Sequence, residues 1–319
     1  MRVAVFGAGA VGAHLGARFA AARADVHLIA RGAHLAVLRS KGLTLIAPDG
    51  VTTHDVWATD DPASIGPVDL VLFCVKSYDT EAAAARLSPL IGPRTAVLSI
   101  QNGVDNEPKI AAAIGAEHVL GAAVYVIAAI ESPGVVRTGP ARMVVGELEP
   151  GPPSRRVTEI VELARTGGID ASAASDVRVA KWEKYTVLVA FSAMSAATQL
   201  TVGDLRPAPA AIEMLRAIMT EAWTVGRRLG VPLADDLVER QVTLLLSQAD
   251  GAGASLRHDL QTGHRMELEA LQGTLKRLGR ETGVPTPFTD AVYAILQPWA
   301  IRNERGASVA PPTVPGATK

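Results

Sequence analysis

The amino-acid sequence predicts an α/β fold in two parts, a helix-covered parallel β-sheet followed by an all-helical C-terminal domain. In the first half, short apolar runs alternate with helical segments, which is the order typical of a parallel sheet covered on both faces. A glycine-rich turn separates the first apolar run from the first helical segment. After about Asp176 the pattern becomes almost wholly helical.

Each element is predicted from the spacing of its apolar residues and from the Gly and Pro residues that interrupt them. Strands are expected at residues 2–6, 26–29, 68–75 and 96–100, helices at 11–22 and 80–90, and an antiparallel extension over 119–146. Helices are also expected at 177–199, 209–229, 234–248, 259–281 and 286–301. These elements divide into a first domain over residues 1–170 and a helical domain over 171–305. Residues 306–319 are rich in Pro, Gly, Ala and Thr, and we expect a disordered tail there.

Composition excludes several classes of function. The formal net charge of −1 provides no basic field that would attract nucleic acid. The single cysteine, Cys74, cannot form an internal disulfide or a cysteine cluster for a metal, which fits a reducing compartment. No segment approaches the run of about 20 apolar residues that spans a bilayer. We therefore expect a cytoplasmic protein with no metal, no nucleic-acid partner and no membrane partner.

The glycine-rich turn matches the G-x-G-x-x-G pattern between a strand and a helix. Its residues are Gly7, Ala8, Gly9, Ala10, Val11 and Gly12. In this context the first glycine permits a tight turn, the second lets a pyrophosphate approach the backbone, and the third lets helix and strand pack closely. The helix N-terminus then offers free N–H groups to the anion. The alternative is a Gly/Ala-rich turn that binds nothing. The pattern favours a Rossmann-type domain that binds a dinucleotide.

Arg31 indicates which dinucleotide is bound. In NAD-binding domains the second strand usually ends in an acidic residue that bonds the ribose hydroxyls, but here it runs into Ala30 and Arg31. A guanidinium makes charge-assisted hydrogen bonds to a 2′-phosphate. The sequence therefore predicts NADPH/NADP+ as the cofactor, with an ordinary surface arginine as the alternative interpretation.

Two polar loops are predicted to border one crevice. Lys76 follows the strand at 68–75, and Asn102 follows the strand at 96–100. Open α/β sheets bind ligands at the carboxyl ends of their strands, so both residues are candidates for contact with cofactor and substrate. Asn102 precedes Gly103, and Asn-Gly is also a common turn sequence without any ligand role.

Three residues of the helical half are further candidates. Lys184 lies near the start of a largely apolar helix, where partial burial would make its ammonium a usable acid near neutral pH, although such a lysine can also extend into solvent. Glu267 falls one turn before Leu271 on the apolar side of its predicted helix and needs a partner, for which Lys184 is a candidate. Ser255 precedes that helix as either an N-cap or a ligand contact.

Taken in order, these motifs resemble those of the ketopantoate reductase family over nearly the whole chain. The matching segments are Gly7 to Gly12, Arg31, Val75-Lys76-Ser77, Gln101-Asn102-Gly103, Pro133-Gly134, Trp182-Glu183-Lys184, and Ser255 through Glu267 to Gly273. The resemblance implies an NADPH-dependent enzyme that reduces 2-dehydropantoate to pantoate for pantothenate and coenzyme A synthesis. It also implies roles for the site residues: Lys184 as the general acid, Glu267 as the group that orients the substrate or Lys184, and Ser255 as the contact to the substrate carboxylate.

The chain departs from this family on the helix of Lys184. The family usually places asparagines one and two turns after the lysine, where they bind substrate hydroxyls, whereas this chain has Leu188 and Ser192. Because the loss of such bonds changes discrimination between substrates, a 2-keto acid with a more apolar tail is an alternative to 2-dehydropantoate. Two other hypotheses remain: a non-catalytic NADP(H)-binding sensor, and a dehydrogenase that oxidises another hydroxy or amino acid. A homodimer formed through the helical domain is also compatible with the sequence.

Overall fold

The structure is a computed structural model that describes residues 1–306, so all but the first residue of the predicted tail lies outside the described residues. Its contacts divide the chain into one compact unit, Met1–Lys181, and a second that begins at Trp182. The first unit is an α/β unit and the second is helical, which confirms the predicted fold class.

The first unit contains twelve strands, numbered in chain order, and the helices between them. The strands are β1 Arg2–Phe6, β2 Asp25–Ile29, β3 Leu43–Ala47, β4 Gly50–His54, β5 Trp57–Thr59, β6 Leu70–Phe73, β7 Ala96–Ser99, β8 Val119–Tyr125, β9 Ala128–Ser132, β10 Val135–Thr138, β11 Arg142–Glu147 and β12 Asp170–Ala173. The helices are α1 Ala10–Ala21, α2 Gly32–Lys41, α3 Thr80–Ala84, α4 Asn106–Ile114 and α5 Arg155–Thr166, and helix α6 Val177–Thr198 runs from this unit into the next.

The main sheet has eight strands in the order β12-β11-β8-β7-β6-β1-β2-β5. All neighbouring strands are parallel except β8 and β11, which are antiparallel. The central strands are buried almost completely, as expected for a sheet covered on both faces. Because β1, β2, β6 and β7 run in the same direction, the residues that follow them lie at one edge of the sheet.

The predicted antiparallel extension over 119–146 is only partly correct. Strands β8 and β11 join the main sheet, whereas β9 and β10 belong to a separate four-stranded sheet with the order β4-β3-β10-β9. Gly134 forms the turn between β9 and β10 with φ +78°, and its carbonyl accepts a hydrogen bond from the N–H of Thr44 in β3. A β-carbon at Gly134 would approach Val37 of α2 to 2.4 Å, so only glycine fits where this turn contacts the helix. The predicted extension therefore contributes strands to two sheets.

The predicted helix at 80–90 is also shorter than expected. Helix α3 ends at Ala84, and a short 3₁₀ turn follows at Ser88–Leu90. Pro89 lies inside that turn, where it has no N–H to continue an α-helix.

The first compact unit extends to Lys181, and the predicted domain division at residue 170 stays a prediction. Strand β12 pairs with β11, and the first turn of α6 packs against the same sheet. Glycines at these contacts allow the close approach, because a β-carbon at Gly121 or Gly146 would meet Val177 at 2.9 Å.

The second unit continues with helices that pack around the remainder of α6. They are α7 Val202–Leu205, α8 Pro209–Arg228, α9 Leu237–Leu246, α10 Ser255–Gln261, a π-helical turn Glu269–Gly273, α11 Thr274–Thr282 and α12 Pro287–Glu304. The prediction of one helix over 259–281 is wrong, because α10 ends at Gln261 and a loop follows. Gly263 adopts the left-handed conformation there, with φ +71°, which terminates the helix.

Candidate active site

The glycine-rich turn joins β1 to α1. The N–H of Ala8 donates a hydrogen bond to the carbonyl of Ile29 in β2 at 2.8 Å, and Gly7 has a φ of +95° that favours glycine. Gly9 is the N-cap of α1 and has no side chain to cap it, and no acidic side chain lies in the first turn. The first N–H groups of α1 therefore have no intrahelical acceptor, which is the arrangement that binds a phosphate.

The glycines of this turn differ in the space around them. A β-carbon at Gly12 would lie 2.4 Å from the carbonyl oxygen of Gly7 and 3.1 Å from the β-carbon of Cys74, so Gly12 serves close packing. A β-carbon at Gly9 would meet nothing within 4 Å. The space above Gly9 is thus open at the helix N-terminus, and the residues present fit a bound pyrophosphate.

Arg31 follows β2 and is the N-cap of α2. Its side chain is exposed and makes no hydrogen bond or ion pair with any of residues 1–306. Three residues later, the Nδ1 of His34 accepts a hydrogen bond from the N–H of Gly134 at 3.1 Å. Burial lowers the pKa of His34 below its usual value, so its ring stays neutral in this position. Arg31 is therefore the positively charged side chain that the end of β2 presents.

Lys76 and Asn102 lie at the carboxyl ends of β6 and β7, on neighbouring strands of the main sheet, as predicted. Lys76 is exposed and Asn102 is half-buried. The carbonyl of Asn102 accepts hydrogen bonds from the hydroxyl of Ser77 at 3.2 Å and from the Nδ2 of Asn106 at 2.8 Å. The two loops are therefore connected to each other, which their sequence did not indicate.

A buried set of polar side chains extends this connection. The Nε2 of Gln101 donates to the carbonyl of Val75 at 3.0 Å and to the hydroxyl of Thr80 at 2.7 Å. Thr80 in turn donates to the carbonyl of Ser77 at 2.8 Å and to the Oδ1 of Asn106 at 3.3 Å. Sequence reasoning missed the structural part played by these residues. The sequence feature that could have indicated this part is the run of polar side chains that follows each of two buried strands.

Helix α4 also connects to α6. Glu107 in the first turn of α4 forms a buried ion pair with Lys181, and the side chains are 4% and 7% exposed. The stem of Lys181 lies 3.6 Å from where a β-carbon of Gly121 in β8 would be. Neither residue of the pair was a candidate from the sequence, because the two are far apart along the chain and each is an ordinary charged residue in its own helix.

The predicted catalytic helix is observed as α6. Lys184 and Leu188 are half-buried on it, whereas Ser192 is fully buried. The hydroxyl of Ser192 accepts a hydrogen bond from the Nε2 of Gln272 at 2.9 Å. Ser192 is therefore engaged within the helical unit, and its direct contact with a substrate stays a prediction.

Glu267 and Ser255 occupy different environments. Glu267 is 6% exposed in the loop after α10, as expected for a carboxylate on the packed side, while Glu269 is exposed and accepts a hydrogen bond from the hydroxyl of Tyr293. Ser255 is exposed and is the first residue of α10, whose N-cap is Ala254. The N-cap interpretation of Ser255 is therefore wrong, and the pairing of Glu267 with Lys184 stays a prediction.

Within residues 1–306, no group of three or more His, Cys, Asp or Glu side chains is placed to hold a metal ion. Burial raises the pKa of the Cys74 thiol, which disfavours the reactive thiolate. Among residues 1–306, every helix is either too short or too polar to be a candidate membrane span.

Comparisons with known proteins agree with this geometry. The model of "Ketopantoate reductase PanE/ApbA" matches residues 3–150, and that of its C-terminal region matches residues 176–300. A 2-dehydropantoate 2-reductase of Mesorhizobium japonicum is 32% identical, with 96% of this chain and 99% of that protein covered. The crystal structure of a PanE/ApbA family ketopantoate reductase from Ralstonia eutropha JMP134 superimposes with a TM-score of 0.88 at 32% identity, covering 95% of this chain and 100% of that one.

A more distant neighbour shares the fold alone. The structure of D-mandelate dehydrogenase with NADH and anilino(oxo)acetate has a TM-score of 0.87 at 19% identity, covering 95% of this chain and 99% of that chain. The family models cover most of the sequence and both halves of the fold. The chain therefore belongs to the ketopantoate reductase family and is an oxidoreductase.

Proposed function

We propose that this chain reduces a 2-keto acid to a 2-hydroxy acid with NADPH, and that 2-dehydropantoate is its leading substrate. The observation that carries the proposal is the open space at Gly9 beside the uncapped N-terminus of α1, in a chain of this family. Pantoate would be the product, and the reaction would take place in the cytoplasm as a step toward pantothenate and coenzyme A.

The first unit would hold the cofactor, whose nicotinamide supplies a hydride when bound. The N–H groups at the start of α1 would bind its pyrophosphate, since they have no acceptor in the helix. The exposed guanidinium of Arg31 would bind the 2′-phosphate that distinguishes NADPH from NADH. Lys76 and Asn102 would contact the cofactor and substrate at the carboxyl ends of β6 and β7.

Lys184 would act as the general acid. Negative charge develops on the carbonyl oxygen as its carbon is reduced, and an ammonium placed there stabilises that charge and donates the proton. Glu267 would orient Lys184 or the substrate, and Ser255 would contact the substrate carboxylate. The partial burial of Lys184 and the full burial of Glu267 are compatible with these roles.

An alternative to 2-dehydropantoate as substrate follows from the residues one and two turns after Lys184. Leu188 presents an apolar side chain one turn after Lys184, and Ser192 is bonded to Gln272, so this face of α6 offers no amide to a polar tail. A family-related reductase acting on a more apolar carbonyl substrate is therefore the second candidate. The D-mandelate dehydrogenase structure with anilino(oxo)acetate supports including an aromatic 2-keto acid in the test.

The test is NADPH oxidation measured with 2-dehydropantoate, 2-oxoisovalerate and phenylglyoxylate, with NADH in parallel. The highest kcat/KM with 2-dehydropantoate would support the leading substrate, and a higher value with either apolar acid would support the alternative. Tight NADPH binding without turnover of any of the three acids would contradict a reductase and favour a cofactor-binding sensor.

A further inference from the structure

The first turn of α4 connects parts of the chain that carry three of the proposed site residues. Asn106 and Glu107 are its first two residues, and they are 0% and 3% exposed. Asn106 bonds to the loop of Asn102, and Glu107 pairs with Lys181 on α6. Two adjacent buried polar residues thus contact two separate elements, the loop after β7 and helix α6.

The contacts of Asn106 determine where the backbone of the Asn102 loop lies. Its Nδ2 donates to the carbonyl of Asn102 at 2.8 Å, and its Oδ1 accepts from Thr80, which also bonds to Ser77 beside Lys76. A buried amide that uses both its donor and its acceptor holds its partners in one arrangement, because any displacement would leave a polar group unsatisfied.

The ion pair between Glu107 and Lys181 determines the position of the first turns of α6. The carboxylate and the Lys181 ammonium are both buried, so separating them would leave an uncompensated charge. Lys184 lies three residues after Lys181 on the same helix, and residues three apart share a face of an α-helix. The ion pair therefore fixes the rotation and register of the turn that precedes Lys184.

We propose that Asn106 and Glu107 are positioning residues for the reduction, with Asn106 placing the loops of Lys76 and Asn102 and Glu107 placing, through Lys181, the helix that carries Lys184. The inference rests on the proposed function for the roles of Lys76, Asn102 and Lys184. The contacts of Asn106 and Glu107 are those of the first unit alone.

Asn106→Ala tests whether Asn106 positions the loops of Lys76 and Asn102. Loss of both hydrogen bonds should raise the dissociation constant of NADPH by about tenfold, read from the fluorescence of the bound nicotinamide. Thr95→Ala is the matched control, because Thr95 is equally buried, donates to the carbonyls of Val68 and Leu90, and precedes β7 at the opposite edge of the sheet. The control should lower the thermal midpoint and leave NADPH binding unchanged. Equal NADPH affinity in Asn106→Ala and the wild type would overturn the role of Asn106.

The double variant Glu107→Met with Lys181→Met tests whether the ion pair positions the helix that carries Lys184. Two apolar side chains of similar size can replace a buried ion pair without loss of stability, but they lack its directional contact. We expect a thermal midpoint near that of the wild type and a kcat lower by about 100-fold, with the dissociation constant of NADPH unchanged. Lys109→Met, on the partly exposed surface of the same helix, is the control and should keep the wild-type kcat. A double variant with wild-type kcat would show that the pair only stabilises the fold.

The two parts of the test separate this inference from the proposed function. If the wild type turns over no 2-keto acid, the proposed function fails, whereas NADPH titration of Asn106→Ala still decides the role of Asn106. If the wild type is active and the double variant is equally active, the positioning role of Glu107 fails and the proposed function stands.

Discussion

Glu221 on α8 holds the start of α12 through Thr289. One carboxylate oxygen accepts from the hydroxyl of Thr289 at 2.6 Å and from its backbone N–H at 2.9 Å, and the other accepts from the N–H of Phe288 at 2.8 Å. These N–H groups lie in the first turn of α12, where no intrahelical acceptor exists. A buried side chain from a distant helix therefore caps an 18-residue helix of the second unit.

Glu221→Ala should destabilise the protein by about 2–3 kcal/mol, because two N–H groups at the start of α12 and the buried hydroxyl of Thr289 lose a charged acceptor. Urea unfolding followed by circular dichroism measures the loss. Glu213→Ala, an exposed position on the same helix, should change stability by less than about 0.5 kcal/mol. Equal stability of the two variants would contradict the capping role.

Local patterns explain which features were predictable. The strand, glycine turn and helix from Arg2 to Ala21 were predicted within one residue of their observed ends, because a buried strand and a G-x-G-x-x-G turn are encoded by adjacent residues. The burial of Glu267 followed from its spacing to Leu271. The same local reasoning placed Lys76 and Asn102 at one edge of the sheet, since the carboxyl ends of parallel strands coincide.

The features that were not predicted depend on contacts between residues far apart in sequence. Asn106 and Glu107 are unremarkable at a helix start, and only the fold brings Lys181 to Glu107. The second sheet was missed because β3 pairs with β10, about ninety residues later, across a turn that requires Gly134. The loop after α10 interrupts a run of helically spaced leucines, so periodicity alone favoured one long helix.

Gly9→Ala should weaken NADPH binding, whereas Gly12→Ala should lower the stability of the fold. A methyl group at Gly9 enters open space, so this variant should fold normally but bind NADPH at least about tenfold more weakly, because the methyl occupies the space proposed for the pyrophosphate. A methyl group at Gly12 would collide with the backbone of Gly7, so this variant should be destabilised by more than about 1 kcal/mol. Thermal melts and NADPH titration distinguish the two. Wild-type NADPH affinity in Gly9→Ala would contradict the proposed cradle.

Arg31→Ala should change cofactor preference. Loss of a charge-assisted contact to the 2′-phosphate should raise the KM for NADPH by about 10- to 100-fold while the KM for NADH stays similar. The measurement is the ratio of kcat/KM for the two cofactors. Arg94→Ala, an exposed arginine before β7 at the other edge of the sheet, should leave the ratio unchanged. If Arg31→Ala kept the wild-type ratio of kcat/KM for the two cofactors, Arg31 would not be the residue that binds the 2′-phosphate.

Lys184→Ala should abolish turnover while NADPH binding stays nearly intact. The variant lacks the proposed proton donor, and general acids contribute about 10²- to 10⁴-fold to kcat. Steady-state rates and NADPH fluorescence measure the two effects separately. Lys41→Ala, at the exposed end of α2, is the control and should retain full activity. Substantial kcat in Lys184→Ala would remove this lysine from the mechanism.

His14 should make the protein less stable in mild acid. It is fully buried in α1, and neither ring nitrogen has a hydrogen-bond partner among residues 1–306. Burial, with the nearby Arg18 guanidinium, lowers the pKa of His14 from 6.5 to about 4. Because the unfolded chain binds this proton at higher pH than the folded chain, stability is complete above pH 6.5 and falls as the pH drops toward 4.

His14→Leu should remove this part of the pH dependence. Between pH 7 and pH 4 the wild type should lose about 3 kcal/mol more stability than the variant, from the interval between the two pKa values at about 1.4 kcal/mol per pKa unit. Urea unfolding at a series of pH values measures the difference. Parallel stability curves for His14→Leu and the wild type would show that His14 accepts its proton in the folded state as readily as in the unfolded chain.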